Sequence, residues 1–118
     1  MQVAQMQHGE AVKGLRKALQ HRAAKMFTEI ELARSCVEAA LAAIDSRAND
    51  VPALASLAKA KAGDALHLLS NEIVQMHGGI GMTDAHDAGL YLKRARAAEA
   101  AFGGSSYHRD RYAKLAGY

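Results

Sequence analysis

The residues whose types and spacing could do chemistry are gathered in one stretch, Gln75-Met76-His77-Gly78-Gly79-Ile80-Gly81-Met82-Thr83. Three glycines within four positions (Gly78, Gly79, Gly81) break a helix, because glycine alone enters left-handed or open backbone angles cheaply. They also strip side chains from a turn, so a ligand or a second backbone can come close. Bare N–H groups beside a nucleotide phosphate are the usual reason for such a turn. A plain helix C-cap followed by a loop uses similar letters, so the residues alone leave both readings open.

Other chemistry-bearing residues read as structural. His77, His86 beside Asp87, and the run Tyr107-His108-Arg109-Asp110 include no pair at the i, i+4 spacing with supporting carboxylates that a helical zinc site needs, so no metal site is expected. Glu99 and Asp110 read as carboxylates on solvated helix faces. Lys93, Arg94 and Arg96 read as a solvated basic face rather than a phosphate clamp. Cys36 lies on an apolar helical stripe and reads as core. As the only cysteine it forms no internal disulfide, which fits a reduced, cytoplasmic setting.

These residues must be positioned by helices. Half of the 118 residues are hydrophobic, many of them alanine, aromatics make up 5%, and there is one proline. That is the profile of a single domain of closely packed helices, not of a sandwich or a disordered tail. The net charge of +3 and isoelectric point near 9.2 are weak grounds for nucleic acid, and no aromatic platform accompanies the basic residues. An anionic cofactor or substrate suits the charge equally well. The first residues show no basic region followed by a long apolar run, and no apolar stretch approaches the ~20 residues that cross a bilayer. A soluble protein with no membrane or nucleic-acid partner is expected.

Residues 1–13 are polar, with His8-Gly9 interrupting any helical pattern. From about Leu15 to Ile44 an apolar seam is clear: Leu19, Ala23, Met26, Ile30, Ala33 and Val37, continued by Ala40 and Ile44. Steps of four and three make this a long helix packed against neighbours. Asp45–Asp50 ends it. Asp50 is suited to cap the next helix and Pro52 to sit in its first turn, and this helix should run to about His77. Along it Ala58, Ala62, Leu66, Leu69, Ile73 and Met76 form the apolar stripe. Thr83 or Asp84 can cap a third helix over about Ala85–Phe102. Gly103-Gly104 stops it, and Ser105 or Ser106 can cap a fourth to about Leu115. The predicted fold is all-α, an up-down antiparallel four-helix bundle of one domain over residues 1–118.

The segment Gln75–Thr83, followed by Asp84-Ala85-His86-Asp87 and Leu90-Tyr91-Leu92-Lys93-Arg94-Ala95, closely resembles the C-terminal helical domain of acyl-CoA dehydrogenases. Ala18-Leu19-Gln20-His21-Arg22, with Ala24, Met26 and Glu31, resembles an earlier helix of that domain. The resemblance runs from about Gln7 to the end. It implies an acyl-CoA dehydrogenase C-terminal domain-like fold and a part in the flavin-dependent α,β-dehydrogenation of an acyl-CoA thioester. It also implies that Gln75, Met76, His77, Gly78 and Gly79, together with Ser105, contact FAD, the segment 75–79 doing so from the neighbouring subunit.

Two departures from the family pattern stand out. The family's Arg-x-Gln-Phe-Gly segment matches Gln5-Met6-Gln7-His8-Gly9, so its flavin-holding arginine has become Gln5 and its phenylalanine His8; residues 1–13 read as a partial remnant of a preceding helix and loop. The family's Tyr-Glu-Gly-Thr turn, one home of the catalytic base, reads Phe102-Gly103-Gly104-Ser105, so Gly103 stands at the glutamate position and no catalytic residue is assigned. The resemblance implies a homo-oligomer, dimer or tetramer, with acyl-CoA as a substrate only of a complete enzyme. The expectation is a fragment or stand-alone relic without turnover, or else a helical oligomerisation or partner-subunit module that no longer binds flavin.

Overall fold

The computed structural model describes residues 2–79 and 85–118, with backbone alone for residues 79 and 85–88. Among these the chain forms four helices and no strand: α1 (Gln2–Asp45), α2 (Val51–Gly79), α3 (Ala85–Ala100) and α4 (Ser105–Leu115). The all-α class expected from the sequence holds.

Helix α2 is the hub. Helices α1, α3 and α4 each pack against it, and the three outer helices barely touch one another among the described residues. Polar contacts give the directions. Arg22 of α1 meets Glu72 and Gln75 of α2, so this pair is antiparallel. Arg96 meets Ser70 and Asn71 while Lys59 reaches the end of α3, so α3 also runs against α2. Ser105 lies beside Ala60 and Arg111 beside Pro52, so α4 continues in the sense of α3. The last turn therefore bends the chain without reversing it.

The packing is close because the contact residues are small. Ala33, Ala40 and Ala43 of α1, Ser56, Ala58, Ala60, Ala65 and Ser70 of α2, and Ala95 of α3 are buried, and Ser56 is the largest side chain fully out of water among the described residues. Alanine, serine and glycine let backbones approach, and dispersion contacts then accumulate between helix walls. The predicted α1 seam is split by this arrangement. Ala33 and Ala40 are buried, Leu19 and Met26 are half-buried, and Ala23, Ile30, Val37 and Ile44 are exposed. Cys36, expected in the core, is half-buried and free. The seam's periodicity located the apolar side of the helix, but α2 covers only the edge of it that carries alanines.

Two expected boundaries move. Helix α1 runs unbroken through His8-Gly9 back to Gln2, because an isolated glycine costs a helix only about 1 kcal/mol. Helix α2 continues to Gly79 instead of stopping near His77. The junction between α1 and α2 closes as the sequence suggested: Arg47 takes φ 54°, and the Ala48 N–H bonds the Ala43 carbonyl at 2.9 Å, a left-handed helix stop. The Leu54 N–H bonds the Asp50 carbonyl at 3.0 Å, which puts Asp50 at the cap position of α2. Thr83 and Asp84, expected to cap α3, lie outside the described residues.

Candidate functional site

The predicted Gln75–Gly79 site sits in the last turn of α2, and its helical conformation changes its chemistry. The N–H groups of Gly78 and Gly79 belong to the helix ladder, so they are not the bare donors expected from the glycine pattern. This end of the helix carries the negative end of the dipole, which disfavours an anion. What the segment offers is side chains. Gln75 is exposed, and its Oε1 accepts from Arg22 Nη1 at 3.0 Å. Its amide nitrogen is left to donate. His77 Nδ1 donates to the Ile73 carbonyl at 3.0 Å, which turns Nε2 outward as an acceptor. Met76 is half-buried. Gly78 is exposed, with nothing among the described residues within 4 Å of where a Cβ would stand. Ile80, Gly81, Met82 and Thr83, the rest of the glycine turn, lie outside the described residues.

The turn between α3 and α4 is built far more tightly. Phe102 and Gly103 both take positive φ, 59° and 97°. A Cβ on Gly103 would stand 2.8 Å from Tyr107 Cδ1 and 3.1 Å from His108 Nε2. A glutamate therefore does not fit at Gly103 in this backbone. Lys59 Nζ donates to the carbonyls of Glu99 at 3.0 Å and Gly103 at 3.1 Å, capping the carbonyl end of α3 with a cation. His108 Nε2 donates to the Phe102 carbonyl at 2.8 Å, leaving Nδ1 to accept from the Ser56 hydroxyl at 3.1 Å. Ser56 Oγ in turn accepts from Arg111 Nη1 at 2.7 Å.

Ser105 does not cap α4. The cap position is Gly104, with extended backbone and no side-chain cap bond. Ser105 is the first helical residue, and its hydroxyl donates to the Ala60 carbonyl at 3.1 Å. It lies directly over Gly63, where an added Cβ would stand 2.5 Å from Ser105 Oγ. Along α2, Gln75 is 12 to 15 residues beyond Ala60 and Gly63, roughly 18–22 Å at 1.5 Å per residue. Within one chain, Ser105 and Gln75–Gly79 do not converge.

Beside Ser105 lies an open groove of about 410 Å³, lined by Asp64, His67, Arg96, Glu99, Ser106 and Arg109 among others. Its charges are already matched. Arg96 Nη1 bonds both Glu99 oxygens at 3.1 and 3.0 Å, and Nη2 bonds Asn71 Oδ1 at 2.6 Å. His67 Nδ1 lies 3.2 Å from Glu99 Oε1. Arg109 pairs with Asp64. Glu99, read from sequence as solvated, is mostly buried and held by both Arg96 and His67. Arg96 likewise leaves the basic face on which Lys93 and Arg94 remain exposed. Asp110 is exposed and pairs with Lys114 at 2.9 Å, as a solvated face would.

Sequence reasoning missed the Ser56–Lys59–His108–Arg111 junction and the Asp64–Arg109 pair. Each of their bonds joins residues 44 or more apart in sequence, and no local motif joins them. The one available signal was the small-residue row Ser56, Ala60 and Gly63 at helical spacing, which marks a wall where another helix comes close. Among the described residues no three His, Cys, Asp or Glu side chains gather as a metal site, and no helix is long and apolar enough to cross a membrane.

Residues 5–116 match the acyl-CoA dehydrogenase, C-terminal domain family. The chain belongs to that family. Its relatives include the acyl-CoA dehydrogenase IpdE2 of Mycolicibacterium smegmatis, 40% identical over 79 residues, covering 67% of this chain and 24% of the relative. IpdE2 of Mycobacterium tuberculosis is 37% identical over 92 residues, covering 78% of this chain and 27% of the relative. Acyl-CoA dehydrogenase FadE34 of Mycobacterium tuberculosis is 37% identical over 90 residues, covering 75% of this chain and 13% of the relative. The chain thus spans about a quarter or less of the curated relatives it matches. No solved structure gives a significant match.

Acyl-CoA dehydrogenases generally depend on FAD, and the residues here fit that group only in part. Gln75 and His77 present polar atoms at an open surface, and the carbonyl end of α2 suits amide or hydroxyl donors of a ligand better than its phosphates. Ser105 is committed to Ala60.

Proposed function

We propose that this chain acts as the C-terminal helical domain of a flavin-dependent acyl-CoA dehydrogenase, lending edge contacts to FAD and an interface between subunits, and that it supplies no catalytic base. The observation that carries this reading is the α3–α4 turn of a recognised family domain: Gly103 stands at the family's glutamate position, and neighbouring side chains fill the space a carboxylate stem would need. When bound, a flavin would supply the acceptor for the hydride that leaves the acyl β-carbon as the α-proton is removed. Toward it this chain's Gln75 amide and His77 Nε2 would hold polar groups of the cofactor, and the 18–22 Å between them and Ser105 suits a site shared across two chains. Acyl-CoA would then be turned over only where another part of the assembly brings a base and excludes water.

A second reading is a helical oligomerisation or partner-subunit module that no longer binds flavin. The observation favouring it is the helical state of Gly78 and Gly79, whose N–H groups are spent within α2. Flavin absorbance separates the two. The first reading expects the chain, mixed with excess FAD and run by size exclusion, to carry a flavin band. The second expects a colourless oligomer and free FAD eluting apart.

A further inference from the structure

We propose that Arg22 is a positioning residue for Gln75: from the neighbouring helix it fixes which way the Gln75 amide faces, so that this position presents a hydrogen-bond donor, and not an acceptor, to whatever binds there. The part that concerns FAD rests on the proposed function above; the orientation of the amide does not.

Three side chains from two helices make the arrangement. Glu72 and Gln75 stand three positions apart on α2 and so share a face, and that face meets α1 at Arg22. Arg22 Nη1 donates to Gln75 Oε1 at 3.0 Å and lies 3.3 Å from Glu72 Oε2. Among the described residues no other polar contact bridges α1 and α2. The buried residues of α1 are alanines, so a guanidinium at this level of the wall calls for a chemical reason.

The two ends of the glutamine amide supply it. They are nearly alike in shape, but one is an acceptor oxygen and the other a donor nitrogen, whereas a guanidinium only donates. The oxygen must therefore meet Arg22, because the reverse would set N–H against N–H. The amide nitrogen is turned away from Arg22, and Gln75 is exposed, so its N–H groups face outward. Glu72 shows what the arginine prevents. Its side chain is 20% exposed, and its Oε2 is out of water and accepts no hydrogen bond among the described residues. Arg22 answers it with charge alone, at ion-pair distance without hydrogen-bond alignment. Without Arg22 that buried oxygen would be an unmatched acceptor, which is costly, and the Gln75 amide, less than one helical turn away, could swing to it. The outward donor would then be lost. Fixing a long side chain in advance also spares a ligand the cost of ordering it.

The test uses the full 118-residue chain with isotope-labelled glutamine. NMR relaxation should find the Gln75 side-chain amide well ordered in the wild type. Arg22→Met keeps an apolar stem and removes the donors; it should shift that resonance and loosen it while circular dichroism shows the helices intact. Arg22→Lys, which keeps a charge and a donor, should restore part of the order. In FAD titrations Arg22→Met and Gln75→Ala should each weaken binding about tenfold. The double variant should lose no more than Gln75→Ala alone, because Arg22 acts through the amide. A mobile Gln75 amide in the wild type would overturn the proposal, as would one unchanged by Arg22→Met or losses that multiply in the double variant. If the wild type binds no FAD, the flavin reading fails and the amide resonances still decide the role of Arg22: ordered in the wild type and released in Arg22→Met upholds it.

Discussion

The two ends of α2 differ in how they are held, although the family resemblance points to both. At the end near Ser56 and Ala60, hydrogen bonds that involve Lys59, Ser105, His108 and Arg111 lock the α3–α4 turn onto the hub. At the other end, Gln75 and Gly78 are exposed, and their polar contact to another helix is a single arginine. The difference teaches that residues matching the family's catalytic turn here serve the fold. Gln75 and Gly78, in the segment that the resemblance implies for flavin contact, stay exposed. Buried polar networks are costly to leave half-satisfied, so substitutions should divide sharply between the two ends.

The largest effect should fall at Gly103. Gly103→Ala asks a Cβ to enter at φ 97° and 2.8 Å from Tyr107, and should destabilise the chain by about 2–4 kcal/mol in chemical denaturation. Gly103→Glu should do at least as much and confer no acyl-CoA oxidation; a stable, active Gly103→Glu chain would break the comparison. Next comes Ser56→Ala, which leaves His108 Nδ1 and Arg111 without their shared hydroxyl and should cost about 1–3 kcal/mol in the same assay. Lys59→Met removes the cation from the carbonyl end of α3 and should cost about 1 kcal/mol.

At the open end, Gly78→Ala should be neutral or stabilise by up to about 1 kcal/mol, since the position is helical and unobstructed among the described residues. The same substitution sharpens the comparison, because loss of flavin retention without loss of stability would mark Gly78 as a ligand contact. The smallest effect is expected at Lys114. Its side-chain bond to Asp110 holds its pKa above the ordinary 10.5. The sign follows: any stabilisation is present below the ordinary lysine value and fades as pH rises through the raised one. Asp110→Asn should bring the lysine titration back down, as followed by NMR, with little change in melting at neutral pH.

The helices were legible in the sequence because their stops are chemical. Asp45–Asp50 and Gly103-Gly104 each combine a helix breaker with a left-handed or extended residue, and both ended helices where expected. His8-Gly9 and Gly78-Gly79 did not, because glycine only lowers helix stability and a long flanking pattern outweighs it. The α1 seam showed its apolar side but not which edge of it α2 would take; that was decided by alanine size, which hydropathy does not rank. The Gln75–Gly79 segment and Ser105 could be named from resemblance, and their separation along α2 follows from α3 running against α2, which brings Ser105 beside Ala60. Glu99 and Arg96 looked like surface charges because their partners, His67, Ser70 and Asn71, come from another helix.

The measurement that tests the central claim most directly is the absorbance spectrum of the purified chain, separated from excess FAD by size exclusion with light scattering and then mixed with an acyl-CoA. The account predicts a flavin band that travels with an oligomer and is not bleached by the thioester, because the site is an edge without a base. Free FAD eluting apart from the protein would contradict the flavin assignment. Bleaching by acyl-CoA would contradict the absence of a catalytic base.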